Sequence, residues 1–296
     1  MNHLRLLSLT VLSLFFSLAA RAQDDLLNMI SDDSTAIDYT YATFKTNRIV
    51  NSHSVEITAP GELQFVIGHR FGRLNSGAYN LWGLDESRIR LGFEYGINKV
   101  WAIGIGRSSE GKTYDAYNKI KLLRQSKGAR NMPVTVALLN TVALSTDPRK
   151  FAEGQNLEFK HRFTYTHQLL IARKFSDKFS LQIMPTYIHK NLVKNAKLEN
   201  DILLVGVGAR QKLNNRVSIN AEYNYIISEQ TAAEYTNSLS LGFDIETGGH
   251  VFQLFLSNSR GMIEKYFLAE NTGEWGKGDI HYGFNITRVF NLRKEK

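Results

Sequence analysis

The sequence predicts an all-β fold: a transmembrane antiparallel up-and-down β-barrel of about twelve strands. Three observations carry this expectation. Apolar and polar residues alternate with period two along most of the chain, the links between alternating segments switch between short and long, and an aromatic strand lies near the C-terminus. Period two is the mark of a strand with one face in an apolar medium, because successive side chains point to opposite faces.

The first element is a secretory signal over 1–22. Arg5 supplies the basic start, Leu6 to Ala20 the apolar run, and Ala20-Arg21-Ala22 a small-x-small cleavage site. Residues 23–60 precede the strands and read as a periplasmic leader or as a segment that fills the lumen. Within them 24–30 has the pattern of a short helix, and 43–57 mixes polar and apolar residues without a period.

The barrel occupies 61–296. Its strands are expected at 61–71, 88–96, 99–107, 112–123, 132–143, 159–174, 178–190, 201–213, 216–228, 237–246, 250–258 and 279–291. The alternation is plain in Ile89, Leu91, Phe93 and Tyr95 against Arg88, Arg90, Gly92 and Glu94. It returns in Val217, Ile219, Ala221, Tyr223 and Tyr225 against Ser218, Asn220, Glu222 and Asn224. A soluble sandwich also alternates, so the link lengths decide. Ile97-Asn98, Ser176-Asp177, Asn214-Asn215 and Thr247-Gly248-Gly249 are turn-like, with 124–131 a longer link at the same end, while 72–87, 144–158 and 259–278 are long. Short turns at one end and long loops at the other are the pattern of an outer-membrane barrel, with both termini on the periplasmic side. The last strand, with Ile280, Tyr282, Phe284, Ile286 and Phe290, resembles the C-terminal signal read by the barrel assembly machinery.

Composition narrows the classes further. The chain has 43% hydrophobic and 22% charged residues and a mean hydropathy of −0.25, which argues against disorder. No stretch beyond the signal is long and apolar enough for a spanning helix. With 17 Phe, 13 Tyr, 22 Gly and 4 Pro the chain favours strands. There is no Cys, so no disulfide framework stabilises the exported chain. The net charge of +8 is scattered, and export argues against a nucleic-acid partner. The expected partners are outer-membrane lipid, the assembly machinery and a small polar or anionic solute. No cofactor is expected.

Several motifs together carry a resemblance. They are Thr43-Phe44-Lys45 with Arg48, His69-Arg70-Phe71-Gly72, Gly83-Leu84-Asp85 and Tyr95-Gly96. Further along come Gly106-Arg107-Ser108-Ser109 followed by Lys112-Thr113-Tyr114-Asp115, and Pro185 with His189 and Asn191. The series ends with Gly206-Val207-Gly208 and Arg210, Glu222-Tyr223, His250-Val251-Phe252-Gln253 and Asn258-Ser259. In this order they resemble an uncharacterised family of outer-membrane β-barrels from Bacteroidetes, a domain family of unknown function. The resemblance implies the barrel and its location, and no activity.

Catalytic chemistry has little support in the residues. Outer-membrane lipases carry His-x-Ser-Asn near the rim; here Phe255-Leu256-Ser257-Asn258 has Phe in the His position. A serine hydroxyl without an adjacent base is a weak nucleophile. The histidines show no metal spacing, and there is no thiolate ligand. His161 and His167 fall on the apolar phase of their strand and read as interfacial residues. Gly104-Ile105-Gly106 sits inside a strand, where glycine relieves a crowded wall rather than cradling phosphate.

The informative set is a charged inward face: Arg70, Arg88, Arg90, Glu94, Arg107, Lys112, Asp115 and Lys119, extended by Arg210, Glu222 and Asp244. These residues make either a salt-bridged network that fills a narrow lumen or a basic constriction that selects anions. The network is the stronger reading, with Asp115 as the acidic partner of the arginines. Three function classes follow: a transport barrel for a polar solute, a plugged barrel that binds a partner, and a lipid-modifying enzyme. An open lumen favours the first, a filled lumen with an ordered cleft the second, and a His beside a rim Ser the third.

Overall fold

The computed structural model describes residues 36–147, 158–193, 197–228, 231 and 233–292. The signal at 1–22, the segment up to residue 35, residues 148–157 of one long link, and the tail 293–296 lie outside the described residues. The chain divides into two units. Of the smaller, residues 36–38 and 128–130 are described, and there the Ala129 N–H donates to the Ala36 carbonyl at 3.2 Å. The larger holds 39–127 and 131–296 and contains the barrel.

Strand β1 (Ile37–Tyr39) and strand β6 (Ser126–Gly128) make a separate two-stranded sheet; β6 falls in the link expected at 124–131. Twelve other strands close into one antiparallel barrel. In chain order they are β2 (Glu62–Arg73), β3 (Ser87–Gly96), β4 (Trp101–Ser108), β5 (Thr113–Leu123), β7 (Thr135–Ser145) and β8 (Phe163–Lys174). Then come β9 (Phe179–Lys190), β10 (Asp201–Lys212), β11 (Val217–Ile226), β12 (Ser238–Thr247), β13 (His250–Ser257) and β14 (His281–Asn291). Each barrel strand pairs with its neighbour in sequence, and β14 closes on β2, with Phe284 opposite His69. Closure leaves no free sheet edge, so every strand's backbone groups have a partner without water.

The expected and observed strands agree closely. The largest departure is at β8, expected from 159 but beginning at Phe163, because Phe159–Arg162 form a 3-10 turn. His161 Nδ1 accepts the Glu158 N–H at 3.1 Å and closes that turn, so His161 is not on a strand face as expected.

The alternation sorts side chains as the period requires. Ile89, Leu91, Phe93 and Tyr95 are exposed on the outer wall of β3, while Arg90 and Glu94 between them are buried inside. The same holds for Ile219, Tyr223 and Tyr225 outside β11 and Asn220, Glu222 and Asn224 inside. The exposed set makes an apolar outer band, the surface a hydrocarbon layer solvates.

The lumen is filled from both ends by the chain itself. Residues 43–58 enter ahead of β2 and are mostly buried. Phe44, Ile49 and Val55 pack on Ala137 and Leu139 of β7, Leu170 and Ala172 of β8 and Met184 of β9. From the opposite end, the first half of the link 258–280 folds inward instead of remaining a surface loop. Its Phe267, Leu268 and Ala269 pack on Ile188, Ile202 and Leu204, and its Ile263 and Tyr266 pack with Ala143. The inner wall from β7 to β10 thus carries apolar patches, at Leu139, Leu170, Met184, Ile188 and Leu204, between polar positions such as Thr166, Gln168 and Gln182. A water-filled pore has a polar lining; these patches require a packed partner.

Candidate functional site

The site begins at the tip of the inserted segment. Residues 47–54 reverse direction through Ile49 N–H to Ser52 carbonyl (2.8 Å) and Ser54 N–H to Asn47 carbonyl (3.0 Å). The turn leaves three successive N–H groups, of Val50, Asn51 and Ser52, pointing the same way. All three donate to the Glu222 carboxylate, at 3.2, 2.9 and 2.9 Å. Glu222 is 1% exposed on β11. A backbone nest of this kind binds an anion, and the wall supplies the anion itself. Hydrogen bonds to a charged group contribute about 1.5–3 kcal/mol each, which offsets much of the desolvation of a buried carboxylate.

Asn51 extends the anchor. Its side-chain amide donates to Ser240 Oγ (3.0 Å) and Ser257 Oγ (3.4 Å), and its Oδ1 accepts from Arg70 Nη2 (2.8 Å). Arg70 also donates to Asn285 Oδ1 at 3.0 Å and lies 4.1 Å over the Phe255 ring. Across the lumen, Gln182 on β9 clamps the returning chain: it accepts the Val55 N–H at 2.9 Å and donates to the His53 carbonyl at 2.7 Å. Glu94 takes the Thr58 N–H and hydroxyl, both at 2.9 Å, and the Tyr117 hydroxyl at 3.0 Å. Lys119 caps the Glu56 and Ser54 carbonyls at 2.8 and 3.1 Å, with Glu94 at 3.8 Å. The inserted segment is therefore held by hydrogen bonds from wall strands on several sides of the barrel.

The two inserts meet in the middle. Arg48 pairs with Glu264 of the inward-folded link at 3.1 Å. His53 Nε2 lies 3.5 Å from the same carboxylate, and its ring stands edge-on to Tyr117 at 4.6 Å. Burial, reinforced by the charges of Arg48, Lys119 and Arg90, pushes the His53 imidazole well below its ordinary value, so it is held neutral.

Eight of the eleven charged residues expected in the lumen are there: Arg70, Arg90, Glu94, Asp115, Lys119, Arg210, Glu222 and Asp244 are all buried and inward. Asp115 pairs with Arg90 through two hydrogen bonds, Nε at 3.0 Å and Nη2. It does not serve Arg70, whose nearest polar partners are amide and carbonyl oxygens. Arg210 and Asp244 both bond to the Ser218 hydroxyl, at 3.2 and 3.4 Å. Gly92 and Gly106 make room for Arg90: a Cβ on either would stand 2.5 or 2.4 Å from its guanidinium. Gly104 does the same for Tyr117, which confirms the crowded-wall reading of Gly104-Ile105-Gly106.

Arg88 shares the inward phase but sits at the rim, half-exposed and bonded to Glu110 at 2.9 Å. Two expectations are corrected. Arg107 falls on the outer phase of β4 with Trp101, Ile103 and Ile105, and lies over the Tyr114 ring at 5.4 Å. It ends its strand, so its long stem covers apolar wall while the head reaches the interface. Lys112 is not on a strand at all. It is exposed in the tight turn Glu110–Lys112, with φ 45°.

Ser257 points inward and is fully buried, bonded to Ser240 Oγ at 2.9 Å as well as to Asn51. Its hydroxyl is part of the anchor. At the long-link end lies a polar cleft of about 460 Å³, lined by Arg73, Glu86, Glu110, Arg260, Tyr266 and His281 among others. Arg260 bridges its walls, 2.7 Å from Glu86 and 3.7 Å from Glu110.

A closed antiparallel wall with an apolar outer band, a charged inner face and a lumen filled by its own chain defines a membrane-embedded β-barrel of the plugged kind. The chain belongs to the family described as membrane bound beta barrel domain (DUF5777), whose model matches residues 44–290. That match includes most of the inserted segment as well as the wall. No curated protein is detectably similar in sequence. Among solved structures the NanC porin is similar at 9% identity and TM-score 0.49, covering 76% of this chain and 98% of that one. The KdgM porin is similar at 7% identity and TM-score 0.48, covering 76% and 99%. Outer membrane phospholipase A from Escherichia coli follows at 12% identity and TM-score 0.43, covering 79% and 92%.

Proposed function

We propose that this protein is a non-enzymatic barrel of the Gram-negative outer membrane that is closed at rest and binds a polar ligand or partner at its outward cleft. One observation carries the reading. The lumen is occupied by two inserts that meet at Arg48 and Glu264, leaving a polar cleft above them at that end. The arginines that an anion filter needs are already engaged: Arg90 with Asp115, Arg48 with Glu264, Arg70 with Asn51 and Asn285. The engagement of Ser257 in the anchor supports the non-enzymatic reading.

Location rests on the secretory pattern at 1–22 and the aromatic last strand, read by the assembly machinery, in keeping with a Bacteroidetes outer membrane. With the short turns in the periplasm, the cleft faces outward. The test is planar-bilayer conductance of the full-length barrel. The expected result is a stably inserted protein with no steady unitary current. A constant anion-selective current at rest would overturn the closed-barrel reading in favour of a porin.

A further inference from the structure

The outer wall of β5, β7 and β8 carries three polar side chains in a row, where other outward histidines stand singly beside aromatic rings, His69 on Phe71 and Phe284 and His250 beside Phe252. Asn118, Asn140 and His167 all point outward, and they sit opposite one another in register across three strands. Asn140 is central on its strand, with Val136 and Leu138 on one side and Val142 and Leu144 on the other. Asn118 is flanked in the same way by Ala116 and Ile120. The row therefore lies within the apolar band and not at a rim. The outward positions of β11, β12 and β13 at Ile219–Tyr225, Leu239–Ile245 and Phe252–Leu256 carry no amide or imidazole; His250 stands at the first residue of β13.

The row is internally bonded yet incomplete. His167 Nδ1 donates to Asn140 Oδ1 at 2.7 Å, and Asn140 Nδ2 donates to Asn118 Oδ1 at 3.3 Å. This fixes the His167 tautomer and leaves Nε2 as an acceptor. Among the described residues, Nε2 of His167 and both amide hydrogens of Asn118 have no hydrogen-bond partner. In hydrocarbon no water can serve them, and unsatisfied polar groups there are expensive. Polar side chains inside a membrane face a partner.

We propose that this face is a dimer interface between two copies of the chain. The chemistry selects a second copy. The row contains no Asp, Glu, Lys or Arg, so it does not call for a charged partner, and it presents both donors and acceptors. Two copies inserted in the same direction are related by a two-fold axis along the membrane normal. An axis at the centre of the row sets Asn140 against its own image, and an amide is its own complement. Asn118 and His167 then flank the axis on opposite sides, which brings the donor flank of one copy to the acceptor flank of the other. Ala116 beside Asn118 lets the walls approach closely.

The chain contains no Cys, so a single introduced thiol reports unambiguously. The full chain is expressed in the outer membrane of a Gram-negative host, and Asn140→Cys is oxidised in intact membranes. The expected result is a disulfide-linked species of twice the monomer mass, with none from Phe243→Cys on the opposite wall. In a second measurement, Asn140→Leu is expected to keep the heat-modifiable migration of a folded barrel and to raise the dimer dissociation constant in bilayers by about tenfold or more, as loss of interchain hydrogen bonds in lipid predicts. A monomer for the unaltered chain, equal cross-linking from both walls, or cross-linking of Asn140→Cys only to a different protein would each overturn the proposal.

Discussion

At the residue scale, the wall's charges behave as pairs whose members depend on each other. Arg90 cannot relieve burial by losing its proton, and Asp115 is its direct carboxylate partner. Asp115→Ala is expected to lower stability by about 3–5 kcal/mol, the usual effect of stranding one member of a buried pair. Arg107→Ala, exposed on the outer face, is expected to change it by no more than about 0.5 kcal/mol. Thermal melting of the two variants measures the contrast. His53 sets a pH dependence. Its folded pKa lies below the ordinary value of 6.5. Above pH 6.5 both states are neutral and the full stability is present; as pH falls through about 6.5 the unfolded chain binds the proton first, and stability declines. Unfolding midpoints between pH 7 and 5 are expected to slope downward towards acid in the natural chain, and less steeply in His53→Gln.

At the element scale, a single step along β11 changes the medium a side chain meets. Tyr223 faces outward and Glu222 grips the inserted turn. Tyr223→Arg is expected to cost about 2–4 kcal/mol at midplane. Glu222→Ala is expected to free the turn and leave three N–H groups unpaired, at about 1–3 kcal/mol each. Refolding yield and melting report the first; bilayer current bursts in an otherwise folded barrel report the second.

The same contrast explains what the sequence reveals. Strands such as β3 and β11 are legible because lipid on one side and polar contents on the other impose a strict period. Arg107 departs from the period because it occupies an apolar-phase position at a strand end, where a charge on a long stem is tolerated. The inserted segment is illegible because its bends have no period of their own; Gln182, Glu222 and Lys119 shape it from distant strands. A signal did exist. Ala137, Leu139, Leu170, Ile202 and Leu204 occupy inward positions, and apolar residues on the inward phase of a wall strand announce that something dry packs against them. Glu264 and the other inward link residues had no such mark of their own.

At the scale of the whole molecule, link length predicts accessibility only where the link remains outside. A tag inserted at 78–83 is expected to label on intact cells, since Tyr79 and Trp82 there are exposed, while a tag at 214–215 is not. A tag at 263–268, inside a link of comparable length, is expected to abolish folding rather than to label, because those residues are buried. Surface labelling together with heat-modifiable migration distinguishes the three outcomes.

The position of the inserted turn in the chain also constrains how the molecule is made. Residues 43–58 precede every wall strand, and the seam between β2 and β14 can seal only after the last of them is in place. The turn's bonding partners lie on β3, β5, β9, β11, β13 and β14, so they arrive one after another as the chain is delivered. The segment thus precedes the first wall strand in the chain, and each of these strands meets it in the closed barrel. A sheet wound without it would have to close over Leu139, Leu170 and Met184 facing water, and such long-range pairing is already slow. Deleting residues 43–58 is therefore expected to lower the yield of heat-modifiable barrel, and not only to open the lumen.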